Sequence, residues 1–316
     1  MTDTHFFDSL ETRTTAQRES EQFELLVGQL RHAKAKAPQY AELLAGIDPE
    51  VVTDRSALAQ LPVTRKSELS QSQLRDPPFG GYAVSEDGDL LRIFASPGPV
   101  FEPQGRREDF WRFARALHAA GFRRGDLIHN TFSYHFTPAG FMVDSGAHAL
   151  GCTVFAAGTG QTELQVQAIA VLRPRGYVGT PSFLKIILDK AAETGLELSS
   201  LAVGAVSGEA LPNSLRDEIS TAGVEVLQAY ATADVGLIAY ESPARDGMIL
   251  DEHVIVEIVE PGTGNPVPEG EVGEILVTTL SPEYPLIRFA TGDLSAVLAG
   301  PSPCGRTNQR IRGWMG

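Results

Sequence analysis

The segment Leu227-Gln-Ala-Tyr-Ala-Thr-Ala-Asp-Val-Gly-Leu-Ile-Ala239 sets a phenol, a hydroxyl and a carboxylate among small residues, between two apolar runs. Small residues let a ligand come close to the backbone. Tyr230 offers a ring, Thr232 a hydroxyl that can donate and accept, and Asp234 a hard oxygen ligand of the kind that suits Mg2+. Further along, Arg288-Phe-Ala-Thr-Gly-Asp-Leu294 brings a second carboxylate, Asp293, behind a Thr-Gly pair.

Three other segments carry candidate chemistry. Val206-Ser-Gly-Glu-Ala-Leu-Pro212 ends a predicted strand and precedes a helix, and Ser207 and Gly208 are small enough for a flat group to stack on them. Ligands favour the carboxyl ends of parallel strands. The plainer reading is a turn with Glu209 in solvent. Ala95-Ser-Pro-Gly-Pro-Val-Phe-Glu-Pro103 is expected between a strand and a helix, where backbone N–H groups can hold phosphate. Ser96 and Gly98 are the candidates there, although Pro97 and Pro99 have no N–H to give. Ile128-His-Asn-Thr-Phe-Ser-Tyr-His-Phe-Thr-Pro138 is rich in aromatics at another strand end, and Tyr134 and Phe136 could line an apolar pocket for an aromatic acid. Isolated aromatics are more often core. His129 and His135 lack metal-ligand spacing, so no zinc is expected, and no Gly-x-Ser-x-Gly marks a serine hydrolase.

The elements that must position these groups follow from periodicity. Phe23, Leu26, Val27, Leu30 and Ala33 recur at helical spacing before Pro38. Leu61–Leu69 reads as a turn into a short helix capped by Thr64 or Ser67. From about residue 90, strands (90–95, 127–132, 152–156, 177–180, 201–206) alternate with helices (110–118, 141–150, 164–172, 183–192). That alternation predicts a parallel α/β sheet with helices on its faces. After residue 250, strands 253–259 and 274–279 flank a turn-rich stretch and predict a small antiparallel subdomain. The expected organisation is a helical region over 1–90, a nucleotide- and acid-binding α/β region over 91–250 and a β subdomain over 251–316.

Composition narrows the function classes. The chain has 316 residues, 42% hydrophobic and 21% charged, as expected of a globular protein with a sizeable core. A net charge of −14 gives no basic surplus for nucleic acid or an anionic membrane surface. No run of 18 apolar residues predicts a membrane span, and the N-terminus does not read as a secretory signal. Cys152 and Cys304 are expected as free thiols in a reducing, cytoplasmic setting.

The order and wording of these segments resemble the AMP-forming acyl-adenylate enzymes, and within them the phenylacetate–CoA ligase branch. Tyr230–Asp234 is similar to that superfamily's Tyr-Gly-x-Thr/Ser-Glu signature, and Arg288–Leu294 to its Arg/Tyr-x-Thr-Gly-Asp-Leu motif. The branch is marked by Leu61–Leu69, Gly125–Asn130, Leu150–Val154, Gly160–Gln167 and Asp251–Ile255, and the similarity runs from about residue 20 to the end. The resemblance implies an N-terminal domain of that superfamily that activates an aryl acid with ATP, giving acyl-AMP and then acyl-CoA. It implies that Ser96, Gly98, Ser207, Gly208, Glu209, Tyr230, Ala231, Thr232, Asp293 and Arg310 meet the nucleotide, with Thr232 also catalytic. Asp293 would hold the ribose, and Asp234 would hold Mg2+ where relatives have Glu. Tyr134 and Phe136 would meet the acid. In the phosphate loop Glu102 stands where the family has Lys, and Val100 has no hydroxyl. Relatives continue through a hinge into a C-terminal domain with a catalytic lysine. This sequence stops at Arg310-Ile-Arg-Gly-Trp-Met-Gly316, so the complete reaction is not expected of it. A homodimer is compatible with this reading. The alternatives are an adenylating enzyme that serves a carrier protein or an amine, and a nucleotide- or acid-binding module without catalysis.

Overall fold

The computed structural model describes residues 5–85, 87–97 and 99–316. The chain folds into two compact units: Met1–Phe7 with Arg107–Met248, and Asp8–Arg106 with Ile249–Gly316. The second is built from both sides of the first in sequence, so the units do not follow the three consecutive segments expected from composition and periodicity. Among the described residues no helix is long and apolar enough to cross a membrane.

The chain enters through the second unit. Helix α1 (Thr15–Lys36) starts at a reciprocal cap: the Gln17 N–H donates to Thr14 Oγ1, and the Thr14 N–H donates to Gln17 Oε1. Its buried face carries Phe23, Leu26, Leu30 and Ala33, four of the five residues that the spacing singles out; Val27 is half-buried. Pro38 ends it and opens α2 (Pro38–Leu43). Helix α3 (Arg55–Leu58) and the short strand β1 (Thr64–Arg65) follow. Helix α4 (Lys66–Arg75) begins after Arg65, so Thr64 and Ser67 are not its N-caps. Thr64 instead lies on β1 and its hydroxyl donates to the Ile287 carbonyl. The stretch expected as a strand-to-helix loop is a hairpin: β2 (Arg92–Ser96) pairs antiparallel with β3 (Val100–Gln104). The ladder runs from Arg92 opposite Gln104 to Ser96 opposite Val100.

The first unit is a parallel α/β sheet, as expected. Helix α5 (Ala114–Ala119) is shorter than the 110–118 stretch because Asp109 caps it; Asp109 accepts from the N–H groups of Phe113 and Ala114. Strand β4 (Leu127–Asn130), α6 (Ala139–Leu150), β5 (Thr153–Ala156), α7 (Thr162–Leu172), β6 (Gly176–Gly179), α8 (Pro181–Thr194), β7 (Val203–Val206), α9 (Asn213–Thr221) and β8 (Glu225–Thr232) alternate along the chain. Gly151, at φ 82°, ends α6 in the left-handed conformation that glycine tolerates. The parallel order is β5-β4-β6-β7-β8, and β9 (Gly236–Glu241) folds back antiparallel on β8. The connections run from β4 to β5 on one side and return to β6 on the other. The strand order therefore reverses at β4, and a crevice opens there beyond the carboxyl ends.

The chain returns through β10 (Met248–Leu250) to β11 (Val254–Val259), β12 (Gly273–Thr279), β13 (Phe289–Ser295), β14 (Val297–Leu298) and β15 (Arg310–Ile311). Strands β11, β12 and β13 are antiparallel, as the turn-rich sequence implies, and β1 pairs parallel with β13.

Arg288 fixes this second sheet. It is 2% exposed, and its Nε and Nη2 pair with both oxygens of Glu257 at 3.0 Å. Its Nη1 donates to the carbonyls of Ala59 and Leu61, and its Nη2 also reaches the Gly264 carbonyl. One guanidinium therefore ties β11, the α3–β1 connection and the β11–β12 turn. Burial pushes the Glu257 carboxyl up, and the Arg288 hydrogen bonds and charge only partly offset that. The pair thus specifies geometry more than it adds net stability. Glu257→Leu leaves a buried cation and should cost about 3–5 kcal/mol. Glu257→Leu with Arg288→Met should recover only part of that, because the Ala59, Leu61 and Gly264 carbonyls then lose their donor. Chemical denaturation checks both, and a single variant as stable as wild type would show that the pair does not close the unit.

Candidate active site

In the first unit, an apolar cavity of about 120 Å³ lies beyond the carboxyl ends of β4, β7 and β8. Ser207 and Gly208 come from the end of β7, and Ala231, Thr232 and Ala233 from the end of β8. Phe132, Thr137, Pro138 and Ala139 come from the connection after β4, Met142 and Val143 from α6, and Phe113 from the start of α5. Four of the sequence candidates for the nucleotide, Ser207, Gly208, Ala231 and Thr232, thus lie on one cavity. Sequence reasoning missed Phe113, Phe132, Met142 and Val143, whose pattern is that of ordinary core residues.

Local constraints build each wall. Gly208 has φ +84°, which any other residue would hold with strain. The Ser207 N–H donates to the Gly179 carbonyl at 3.1 Å. Glu209 is exposed, as the plainer reading expects, but its carboxylate accepts from the Ser182 N–H at 2.7 Å, at the start of α8. Tyr230, 8% exposed, lies on β8 opposite Ala239, and the β8–β9 turn carries Asp234, also 8% exposed. Thr232 Oγ1 accepts from the Val235 N–H at 3.2 Å. Arg112 buttresses the turn from behind, donating to the carbonyls of Val235 and Leu237 at 2.8 and 3.0 Å. At Gly236 a side chain would press on Trp111, 3.0 Å from its Cβ.

The crevice between β4 and β6 is held by a second close approach. A Cβ at Gly179 would lie 1.9 Å from Thr131 Oγ1 and 2.4 Å from Tyr177 Oη. Tyr177 is fully buried; its hydroxyl donates to the Thr180 carbonyl and accepts from Thr131.

The expected acid-contacting aromatics lie elsewhere. Phe136 is 79% exposed and does not line the cavity. Tyr134 does not line it either: its hydroxyl donates to Asp144 Oδ1 at 2.7 Å and accepts from Asn130 Nδ2 at 2.8 Å. Both residues are aromatics on a connection; hydrogen bonding sets the direction of Tyr134, and Phe136 sits on left-handed backbone at φ 59°, neither of which composition reveals.

The remaining sequence candidates belong to the second unit. Ser96 and Glu102 share the inner face of the hairpin; the Ser96 hydroxyl donates to Glu102 Oε1, and Glu102 is 2% exposed rather than turned to water. Gly98 lies outside the described residues. Asp293, on β13, accepts from the Trp314 Nε1–H at 3.0 Å. Arg310 is 4% exposed, and its Nη2 donates to the carbonyls of Ala299 and Gly300. Among the described residues no three His, Cys, Asp or Glu side chains gather as a metal site.

His129 is held below the ordinary imidazole range by its surroundings. It is fully buried on β4 and stacked on Phe155. Its Nε2 faces Gln165 Oε1, while Gln165 Nε2 donates to the carbonyls of Gly158 and Gly160. Because the amide nitrogen is directed at those carbonyls, the ring must donate through Nε2–H. Desolvation pulls its pKa below 6.5, with Gln165 opposing. A depressed base contributes stability above its unfolded pKa of about 6.5 and loses it as pH falls towards the folded value. His129→Gln should therefore narrow the stability difference between pH 7.5 and 5. Thermal unfolding at the two values checks this, and an equal pH loss in both proteins would contradict it.

Comparison with known proteins agrees with this geometry. The family described as AMP-binding enzyme matches residues 112–281. The chain is 32% identical to a phenylacetate-coenzyme A ligase of Aromatoleum evansii, over 92% of this chain and 68% of that protein. It is 33% identical to the phenylacetate-coenzyme A ligase of Escherichia coli (strain K12), over 97% of this chain and 73% of that one. A crystal structure of 2-hydroxyisobutyryl-CoA ligase, in an open conformation with 2-HIB-AMP and CoA, superposes with a TM-score of 0.92 at 26% identity, covering 99% of this chain and 72% of that one.

Proposed function

We propose, from the premise that this chain belongs to the AMP-binding enzyme family, that the acid it activates is a small aryl carboxylate of the phenylacetate type. The reaction is ATP-dependent: a carboxylate attacks the α-phosphate to give acyl-AMP and pyrophosphate, and the CoA thiol then takes the acyl group and releases AMP. The observation that carries the acid assignment is the apolar cavity of about 120 Å³ at the strand ends, walled by Phe113, Phe132, Pro138 and Met142. An apolar cavity of roughly 150 Å³ admits benzene, so this one is near the size of a phenyl ring. The match to two phenylacetate-coenzyme A ligases supports the same class.

The roles follow the local chemistry. Thr232 lines the cavity, and its hydroxyl, which accepts from the Val235 N–H, keeps a proton that can be donated to phosphate as charge develops there. Ser207, Gly208 and Ala231 offer the small surface against which a base can lie, and Tyr230 a ring beside it. Asp234, two residues after Thr232, supplies a carboxylate of the kind that suits Mg2+, which takes one or two carboxylates, substrate phosphates and water. Bound there, Mg2+ would neutralise phosphate charge. Ser96 reaches phosphate only by giving up Glu102. Asp293 is assigned to the ribose hydroxyls, and Arg310, tied to two carbonyls, would keep its hairpin in place instead of leaving it for the nucleotide.

Calorimetry and fluorescence test this reading. Asp293→Ala should weaken AMP binding by about 1.5–3 kcal/mol, the range for a hydrogen bond to a charged group. Ribose at Asp293 would compete with the Trp314 indole, so AMP should shift Trp314 emission in a Trp111→Phe background. Phenylacetate should bind better than acetate in the presence of AMP. Equal AMP affinity with and without Asp293, or no preference between the two acids, overturns the corresponding assignment.

A further inference from the structure

We propose that Tyr134 and Asp144 are positioning residues that latch the connection after β4 as the wall of the acyl cavity. The acyl part of the proposal rests on the function assigned above. The connection from Thr131 to Pro138 supplies Phe132, Thr137 and Pro138 to the cavity and leads into Ala139 and Met142. A segment of this kind needs restraints along its length to hold an apolar wall open to a ligand. Its start is held by the Thr131 N–H on the Val178 carbonyl and by the Phe132 N–H on Asn130 Oδ1. Its end is held by the Gly140 N–H on the Ser133 carbonyl.

In the middle, the Ser133 hydroxyl accepts from the His135 N–H within the connection itself, and Tyr134 bridges out of it to α6. Tyr134 Oη donates to Asp144 Oδ1 at 2.7 Å, and Asn130 Nδ2 reaches Tyr134 Oη at 2.8 Å, the Gly140 carbonyl at 3.0 Å and Asp144 Oδ1 at 3.2 Å. The phenol thus links the end of β4 to the second turn of α6. Burial, followed by the Asp144 hydrogen bond and charge, raises the Tyr134 pKa, so the phenol stays protonated as the donor. The ring packs edge-on against Phe141, 5.2 Å between centroids, and lies so close to the first turn of α6 that a Cβ at Gly140 would be 2.9 Å from Tyr134 Cδ1. The glycine admits the ring, and the ring fixes the segment from the side away from the cavity. Loss of the phenol hydroxyl leaves the connection attached at both ends and loose at Tyr134, next to Phe132. The acyl group should feel this, and the nucleotide should not.

The test compares wild type with Tyr134→Phe, Asp144→Leu and Asp144→Asn. Calorimetry uses AMP and the hydrolysis-resistant phenylacetyl sulfamate of adenosine. Tyr134→Phe and Asp144→Leu should each weaken the acyl analogue by about tenfold, as for one lost buried hydrogen bond, and leave AMP within about twofold. Asp144→Asn keeps an acceptor for the phenol and should stay near wild type. Hydrogen exchange should accelerate in residues 131–139 of Tyr134→Phe and not in α8. Unchanged affinity for the analogue, or equal losses for analogue and AMP, overturns the latch. If wild type binds neither ligand, the assigned function falls, and the latch stands or falls on the exchange of residues 131–139 in Tyr134→Phe alone.

Discussion

Arg288 is surrounded by oxygen. Two come from Glu257 and three from the carbonyls of Ala59, Leu61 and Gly264, and the residue is 2% exposed. A planar guanidinium with a rigid fork of donors is the side chain that can meet such a set; a lysine would leave carbonyls unmet. Because a buried cation without partners is costly, the second unit closes only when segments far apart in sequence arrive together. The position of β13 follows from that closure, and β13 carries Asp293 five residues beyond the guanidinium. The Arg-Phe-Ala-Thr-Gly-Asp run therefore anchors the sheet at its first residue and sets the position of the carboxylate at its last, the one proposed above for the ribose.

The first unit solves the same problem with space instead of charge. Gly176 and Gly179 sit where side chains would overlap Phe122, Thr131 or Tyr177. Their absence of Cβ lets β4 and β6 converge at the point where strand order reverses, with Tyr177 joining the two strand ends through Thr131 and the Thr180 carbonyl. The cavity beside them is apolar, while the groups that make hydrogen bonds stand behind its walls: Asp144 with Tyr134, and Arg112 with the β8–β9 turn. This arrangement keeps polar groups satisfied without drawing water into the cavity.

Sequence periodicity disclosed the parallel sheet well, since each helix and strand there is short, regular and bounded by glycine or proline. Gly151 and Pro174 mark ends that the structure reproduces within a residue or two. The hairpin of β2 and β3 was not legible, because Pro97 and Pro99 argue for a turn and say nothing of what the flanking residues pair with. The β8–β9 turn was legible from Thr232 and Asp234, whose types are unusual between apolar strands. Aromaticity at Tyr134 and Phe136 signals burial or a pocket but not direction; hydrogen bonding holds Tyr134 outside the lining of this cavity, and a left-handed backbone at φ 59° accompanies the exposure of Phe136. The cavity residues Met142 and Val143 carry no signal beyond hydrophobicity, and only the packing of α6 distinguishes them from core.

The interleaving of the two units bears on how the chain is made. The Thr64 hydroxyl meets the carbonyl of Ile287, 223 positions away, beside the parallel pairing of β1 with β13. At translation rates of roughly 5–20 residues per second, that gap corresponds to about 10–45 s. During this time the first half of the second unit has been synthesised without its sheet partners, while the first unit, contiguous apart from its N-terminal residues, has every strand it needs. The inserted unit can therefore fold on the ribosome as a local structure, and α1 to β3 must wait, with apolar surface uncovered. Chaperone dependence should thus concentrate in the segment made first.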